Sequence, residues 1–397
     1  MSMIFWDSYG HYSGLTQMAE KWDVVAQSTL SIGTPATITQ GTTIGRFGAG
    51  GCTFASTAPQ TFTDSFAQTA SCYSQKNYNG VDEIIVGLAV QQTATQYNEG
   101  ALLVAFLDGA TTQVGIQILP SGQLRAYRST LVGTGIFLLS PARTPVAATG
   151  NYTILGESIS AIASSAFDFL EIRVLHDPAN GEIEIIRNGA AFWTLTGVNT
   201  AISGVSNSSS VIAGGYAARF SSGATLESHY LKATISDFEL LNTVANGSDA
   251  LDPVTFTGDR HWEAISPTAD GFYAEWTTTG SADHFENIDE VPPNTTDYNS
   301  SVTVGNKDNF IVSAASGPTT ASCYLGLTMY CQKTTGGSNE VKGLFRLSAA
   351  DRNGTAFQVP SPWAFRQSFL ASKPGGGAIT VADLQPATGQ PGYEKTQ

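Results

Sequence analysis

The sequence predicts an all-β protein of two domains, and three observations lead to that prediction. Short runs of β-branched and aromatic residues recur along the whole chain, and each run ends at Gly, Pro, Asn or Ser. Amphipathic helical periodicity is weak and limited to residues 14–21 and 363–370. The length of 397 residues is more than twice that of a typical single domain, so two domains are expected.

The clearest local pattern lies between Phe167 and Leu195. It consists of three runs of β-forming residues, the first of which alternates between polar and apolar side chains. The second turn is Asn188-Gly189, a pair that favours the type I′ geometry of a tight hairpin. We therefore predict a three-stranded antiparallel meander, with a further alternating strand at residues 232–241.

A cluster of turn residues at 242–253 predicts the boundary between the two domains. The first domain is expected to span residues 1–245 and the second, smaller β domain residues 254–373. The Pro/Gly-rich residues 374–397 are predicted to form an extended tail along a surface or another subunit.

The composition restricts the class of partner. Charged residues make up 13% of the chain, and 19 basic against 33 acidic side chains give a formal net charge of −14. Nucleic acid and anionic membrane surfaces are therefore not expected as partners, because both attract clustered Lys and Arg. No run approaches the roughly 18 apolar residues of a membrane span. The first residues also lack the basic and apolar segments of a secretory signal.

The four cysteines are too few for a disulfide framework in so long a chain. Cys323 and Cys331 fall in one predicted strand, roughly 26 Å apart at about 3.3 Å per residue, which is too far for a disulfide. Reduced, buried thiols are expected, and with them folding in a cytoplasm.

The meander at 181–193 and the strand at 235–241 resemble the central sheet of concanavalin A-like and laminin-G-like jelly rolls. In those domains an Asp/Asn-Gly hairpin is followed by a strand close to the carboxy end of the fold. The resemblance covers about residues 4–241. It implies that the N-terminal domain is a jelly-roll β-sandwich.

Motifs along the chain also resemble virion structural proteins of tailed bacteriophages. They are the aromatic segment 5–12, Glu20-Lys21-Trp22, Gly45-Arg46-Phe47-Gly48, residues 267–271, 275–277 and 288–293, Tyr298 and Val304-Gly305. The resemblance implies a tail, fibre or appendage, or outer decoration protein that assembles with copies of itself and with other virion proteins. It also implies a location in the virion after assembly in the bacterial cytoplasm, with contact to a host surface glycan as an extension of that role.

Two alternatives from other classes stay open, namely a carbohydrate-binding adhesin module and a glycan-degrading enzyme of the jelly-roll type. Glycoside hydrolases of this fold use paired carboxylates on one strand face. Glu182 and Glu184 lack a third acid on their strand, and the acids at 289–290 are followed by Pro292-Pro293, which cannot continue a central strand. The chain is therefore predicted not to be an enzyme, with no catalytic residue.

Cofactor and metal sites are not expected from the sequence either. The five histidines show no metal-binding spacing, and the glycines at 45–51 lack the Lys-Ser/Thr of a phosphate loop. The densest acidic cluster, Asp283 to Glu290, is suited to Ca²⁺ because carboxylates bind hard cations. A solvated loop at a subunit interface is the preferred interpretation of that cluster.

An interface between subunits is predicted at two apolar segments that have no evident core of their own. Burying one large aromatic side chain contributes roughly 1.5–3 kcal/mol, so several per subunit would stabilise association. The alternative is that both segments pack back on their own chain. The predicted interface residues are Phe5, Trp6, Tyr9, Tyr12, Ile379, Val381 and Leu384.

Overall fold

The computed structural model describes residues 2–9, 12, 14–27, 37–41, 43–48, 50–55, 68–94, 101–109, 111–119, 121–130, 152–163, 165–202, 207–219, 232–242, 256, 262–290, 293–316, 318–320, 322–334 and 336–397. These residues form two compact units. The first holds the described residues up to Asn242, except Tyr12, together with Phe256 and Trp262, and the second holds Tyr12 and the residues from Glu263 onward. Apart from Asn242, the predicted boundary at 242–253 lies outside the described residues.

The first unit consists almost entirely of antiparallel strands. In chain order its elements are β1 (Ser2–Asp7), α1 (Leu15–Lys21), β2 (Val24–Gln27), β3 (Thr37–Gly41), a 3₁₀ turn (Arg46–Gly48), β4 (Gly51–Ala55), β5 (Gln68–Val81), β6 (Glu83–Ala94), β7 (Ala101–Asp108), β8 (Thr111–Ile118), β9 (Gln123–Ser129), β10 (Tyr152–Ala161), β11 (Asp168–Leu175), β12 (Gly181–Arg187), β13 (Ala190–Val198), β14 (Ser208–Arg219) and β15 (Lys232–Asn242). In the described part of this unit one helix accompanies these strands, as the weak helical periodicity of the sequence predicts.

Two sheets make a β-sandwich. The first has the order β13-β12-β11-β6-β15-β4-β3, with β1 also paired to β15, and the second has the order β10-β9-β8-β7-β14-β5-β2. Strands of both sheets bury large apolar side chains, such as Ile172 on β11 and Phe106 on β7. Consecutive strands pair at the outer parts of both sheets, whereas pairs such as β6 with β15 and β7 with β14 join strands that are distant in sequence, as in a jelly roll. The predicted all-β class with a jelly-roll sandwich is confirmed.

The predicted meander is also confirmed. Strands β11, β12 and β13 are consecutive antiparallel neighbours. The second turn places Asn188 at φ 50° and Gly189 at φ 77°, the left-handed conformations that a type I′ turn requires. This turn pairs Arg187 with Ala190 and Ile186 with Ala191, and a bulge then shifts the register between β12 and β13.

The second unit is built around a five-stranded sheet. Its elements are β16 (Pro267–Ala274), β17 (Thr277–Thr279), a 3₁₀ turn (Phe285–Asn287), β18 (Tyr298–Ser300), β19 (Lys307–Val312), β20 (Ser322–Cys323), β21 (Leu325–Cys331), β22 (Glu340–Leu347), β23 (Ala350–Gln358), β24 (Ala364–Leu370), β25 (Ile379–Thr380), a 3₁₀ turn (Val381–Leu384) and β26 (Gly389–Lys395). The main sheet has the order β16-β19-β26-β22-β23, and β17-β18, β20-β25 and β21-β24 form separate pairs. Among the described residues, no helix is long and apolar enough to span a membrane.

The predicted extended tail at 374–397 is corrected by this sheet. Strand β26 occupies its centre and pairs with β19 on one side and with β22 on the other. Glycine at 392 is needed there, because a Cβ atom would overlap the carbonyl oxygen of Asp308 on β19. The last part of the sequence is therefore an integral strand of the second unit.

The predicted subunit interface is corrected as well. All seven of its side chains, Phe5, Trp6, Tyr9, Tyr12, Ile379, Val381 and Leu384, are no more than 7% exposed within this one chain. The structure therefore has the alternative arrangement, in which both segments pack on their own chain. Burial removes the physical reason for placing a subunit interface at these residues.

The N-terminal aromatic residues pack inside the first unit. Trp22 stacks on Tyr9 and meets Phe5 edge-on, with ring centroids 5.7 and 4.8 Å apart. Trp6 stacks on Trp262 at 5.6 Å. Because these rings cover one another, the segment is part of the core, and β1 carries it there by pairing with β15.

Candidate functional site

The most developed polar surface of the second unit lies on one face of the five-stranded sheet. We call it the Phe272 face and define it by Phe272, Tyr273, Lys307, Lys342, Arg346, Asp351, Gln390 and Glu394. Register explains its composition: Lys307 and Lys342 both lie opposite Glu394, while Arg346 lies opposite Gln390 and Asp351. Since opposite residues on paired strands point to the same side of a sheet, these side chains converge.

Alternation along β22 separates this face from the core. Val341 and Phe345 point inward, where they belong to apolar clusters of the second unit. Lys342 and Arg346, one residue further along in each case, point to the opposite side.

Asp351 is the acceptor that orders this face. Its carboxylate accepts hydrogen bonds from Lys307 Nζ at 2.8 Å, Arg346 Nη1 at 2.7 Å and the Tyr273 hydroxyl at 3.0 Å. Burial raises the pKa of Asp351, but these three donors outweigh burial and the pKa lies below its ordinary value. For Lys307 the same hydrogen bond acts in the opposite direction and raises the pKa of its ammonium group. Both groups therefore stay charged at neutral pH.

The Phe272 ring stands out from this network into solvent. Its residue is 66% exposed, the guanidinium carbon of Arg346 lies 4.0 Å from its centroid, and the Tyr273 ring meets it edge-on at 4.9 Å. The ladder between β16 and β19 is irregular between Asp270 and Ala274. Side chains replace the missing ladder bonds there.

Two amide side chains hold this irregular segment in place. Phe272 N donates to Gln390 Oε1 at 2.9 Å, and Tyr273 N donates to Asn309 Oδ1 at 2.7 Å. Asn309 Nδ2 in turn donates to Gln390 Oε1 at 3.1 Å. The backbone that carries the exposed ring is therefore fixed, and the ring is displayed without the mobility of a free loop.

None of the residues of the Phe272 face is among the functional residues predicted from the sequence. Tyr273 and Asp351 are 78 residues apart in the chain, and only the strand register joins them. A usable signal was the run Lys342-Gly343-Leu344-Phe345-Arg346, whose alternation places both cations on one side of a strand.

The acidic segment Asp283 to Glu290 holds structural hydrogen bonds. Fully buried Asp308 accepts from His284 Nδ1 at 2.8 Å, and Asp270 accepts from the backbone N–H of Phe285 at 2.7 Å. Burial raises the pKa of the Asp308 carboxyl. Among the described residues, no group of three His, Cys, Asp or Glu side chains is arranged to hold a metal ion.

The carboxylates of β12 form an ion-pair network. Glu182 and Glu184 lie 3.2 and 2.8 Å from the guanidinium of Arg173, which also pairs with Glu83 at 2.7 Å. Their oxygens are held by one arginine on the neighbouring strand, so the structure gives these carboxylates a structural partner.

A second polar and aromatic cluster lies in the first unit on β8 and β9. The Tyr127 ring lies across Gly115, where a Cβ atom would overlap it, and Arg125 pairs with Glu157. Tyr127 is 1% exposed and belongs to an apolar cluster with residues of β7 and β14. A ligand has no access to this ring, so the Phe272 face is the better candidate.

His176 provides a pH-dependent prediction for the first unit. Burial lowers its pKa to about 4, and its Nδ1 lies 3.4 Å from the Thr200 carbonyl oxygen. Between pH 6.5, near the value of a solvated histidine, and pH 4, the unfolded chain binds a proton that the folded chain does not. Stability should therefore fall as the pH falls through this window, by roughly 3 kcal/mol in total at about 1.36 kcal/mol per pH unit.

Urea unfolding of the first unit between pH 4.5 and 7 measures this effect. In His176→Gln the slope of unfolding free energy against pH should be shallower than in the wild type, because the titrating group is gone. Equal slopes in the two proteins would show that His176 is not the source.

Comparison with known proteins adds a set of similar folds. No protein-family model matches the sequence, and no curated protein matches it. An endo-β-1,4-glucuronan lyase from Trichoderma reesei is similar at 13% identity and a TM-score of 0.42, over 60% of this chain and 95% of that one. Alginate lyases from Aplysia kurodai and from a Chlorella virus are similar at 11% and 14% identity, with TM-scores of 0.34 and 0.30. These alignments cover 61% and 60% of this chain and 99% of each lyase.

The prediction that the chain is not an enzyme is contradicted by these neighbours, which are polysaccharide lyases, and we do not retain it. The missing acid triad bears on hydrolysis by paired carboxylates, whereas a lyase breaks its bond by elimination. At these identities and TM-scores, the likeness assigns no activity or substrate to this chain.

Proposed function

We propose that the protein binds a glycan and that the Phe272 face of the second unit is the binding surface. The observation that carries this proposal is an aromatic ring that is 66% exposed and surrounded by charged and amide groups in fixed positions. A sugar ring has a face of C–H groups and an edge of hydroxyl groups. An exposed aromatic ring can pack against such a face while neighbouring polar groups bond the hydroxyls.

Preorganisation supports the proposal further. Lys307, Arg346 and Asp351 already restrain one another, and the backbone of Phe272 is bonded to Gln390. Ordering of side chains on binding costs about 0.5–1.5 kcal/mol for each flexible group, and that cost is reduced where the groups are already fixed. This reduction in the entropic cost of binding matters most for a small ligand such as an oligosaccharide, which makes few contacts.

Phe272→Ala should weaken glycan binding by roughly 10- to 100-fold, because covering a ring of this size contributes roughly 1.5–3 kcal/mol. Titration calorimetry with alginate and cello-oligosaccharides of equal length measures the effect. Phe47→Ala is the matched control, since Phe47 of the first unit is 75% exposed. The melting temperature of both variants should stay close to that of the wild type.

A wild-type chain that binds no oligosaccharide in this series or on a broad glycan array would contradict the proposal, as would equal binding by Phe272→Ala. The same samples should be followed by ultraviolet absorbance and by reducing-end release. These readouts detect elimination and hydrolysis, so a catalytic activity would be recognised if the chain has one.

A structural role in a tailed-phage virion is a second proposal, supported by the resemblance of residues 5–12, 20–22 and 45–48 to such proteins. A particle that carries exposed glycan-binding surfaces can attach to a host surface, so the two proposals are compatible. Mass spectrometry of purified virions tests it. Absence of the chain from intact particles would refute the virion location and with it the partnership with other virion proteins.

A further inference from the structure

We infer that the glycan recognised at the Phe272 face carries a carboxylate and that Arg346 binds this group with the free edge of its guanidinium. The inference rests on the proposed function and specifies its ligand class. It follows from the hydrogen bonds of Arg346, from the charges around it and from the ring beside it.

Arg346 binds groups of the protein with one end of its guanidinium and leaves the other end available to a ligand. Nη1 donates to Asp351 Oδ1 at 2.7 Å and to the Tyr273 hydroxyl at 2.9 Å. No acceptor among the described residues receives Nε–H or the Nη2 hydrogens of this side chain. Nε–H and one Nη2–H point the same way and match the two oxygens of a carboxylate, which makes this edge suited to a bidentate bond.

The aromatic rings fix the direction of that edge. The guanidinium carbon lies 4.0 Å from the Phe272 centroid and 4.9 Å from the Tyr273 centroid. Cation–π attraction and the two Nη1 hydrogen bonds together hold the plane of the guanidinium. A sugar that packs on the exposed part of the Phe272 ring therefore brings its substituents next to the free edge of Arg346.

The local charge also favours an anion. The side chains that define this face are three cations, Lys307, Lys342 and Arg346, and two carboxylates, Asp351 and Glu394, so their sum is +1 in a chain with a net charge of −14. A local excess of positive charge in a negative protein attracts anionic ligands selectively.

The test compares alginate oligosaccharides with the same oligosaccharides after chemical reduction of their carboxyl groups. The wild-type chain should bind the carboxylated form about tenfold more tightly, as expected for one bidentate charged contact. Arg346→Lys keeps the positive charge but loses the two-pronged edge, so it should lose most of this preference. Arg125→Lys is the matched control, because Arg125 is also paired to a carboxylate, has the same 12% side-chain exposure and lies in the first unit.

Lys342→Gln provides a second variant that leaves the hydrogen bonds of Asp351 intact. It removes one charge from the face and should reduce the preference for the carboxylated form, with a weaker dependence of binding on salt. Circular dichroism of each variant checks that the sheet is retained.

The outcomes separate the two proposals. Equal binding of both oligosaccharides that Phe272→Ala abolishes would overturn the carboxylate inference and leave glycan binding in place. Failure of the wild type to bind either form would overturn both. Tighter binding of a sulfated oligosaccharide than of the carboxylated one would overturn the assignment of the carboxylate.

Discussion

Removing residues 374–397 is expected to unfold the second unit while the first unit stays folded. The truncation deletes β26, which pairs with strands on both of its sides, and it exposes the two neighbouring strands. It also removes Ile379 and Leu384 from the cluster around Phe345, and Tyr393 from the cluster around Phe310. Losing a buried side chain of this size costs about 2–5 kcal/mol, so three exceed the stability of many small domains.

Limited proteolysis with mass spectrometry measures this result, because residues 263–373 should become susceptible throughout. The β signal in circular dichroism should fall accordingly. A shorter truncation that removes residues 396–397 serves as the control, since it ends after β26. Survival of a protease-resistant fragment covering 263–373 in the longer truncation would contradict the central position of β26.

Asp7→Asn is expected to destabilise the first unit by about 3–5 kcal/mol, the cost of leaving a buried charge without its partner. Fully buried Asp7 accepts hydrogen bonds from Trp22 Nε1 at 2.6 Å, Tyr9 N at 2.8 Å and Lys21 Nζ at 3.4 Å. Burial lowers the pKa of Lys21 to about 8 against the attraction of Asp7. Without the Asp7 carboxylate, Lys21 loses the main group that keeps its charge favourable.

Asp23→Asn is the matched control for this variant. Asp23 pairs with Lys76 at 3.3 Å near the surface, where such a pair contributes about 0–1 kcal/mol. Urea unfolding followed by tryptophan fluorescence compares the two, since Trp22 itself binds Asp7. Similar losses of unfolding free energy in both variants would show that the buried pair is not a special source of stability.

The fold class was predictable because its signals are local. Asn188-Gly189 adopts the turn that its residue types favour, and burial alternates along most of β12, the strand before it. The weak helical signal at 363–370 is wrong, because a non-local contact decides the structure of these residues. These residues form β24, whose pairing with β21 overrides a marginal helical preference.

Strand β26 could not be predicted because its residue types argue against a central strand. Gly389, Pro391 and Gly392 are usual in turns, and proline removes a ladder donor. In the structure β19 pairs with residues 392–394, so Pro391 lies beyond that ladder, and on the other side of β26 it is opposite Phe345 of β22. The glycines are required by the close approach of β19 and of Phe345.

The Phe272 face as a whole could not be predicted from the sequence either, because its groups come from five strands. Phe272 reads as one more apolar residue of a strand, and its exposure follows from an irregularity next to Asp270. Arg346 and Asp351 lie on the two strands of one hairpin, on either side of its turn. Only the register of β22 and β23 shows that their charges meet.

The pairing of β1 with β15 has a consequence for the order of events during biosynthesis. At about 5–20 residues per second, the roughly 230 residues between these strands take roughly 10–50 s to be translated. Throughout that interval the nascent chain carries Phe5 and Trp6 without the strand that later receives them. Substitutions that make this segment more apolar are therefore expected to lower the yield of recombinant protein.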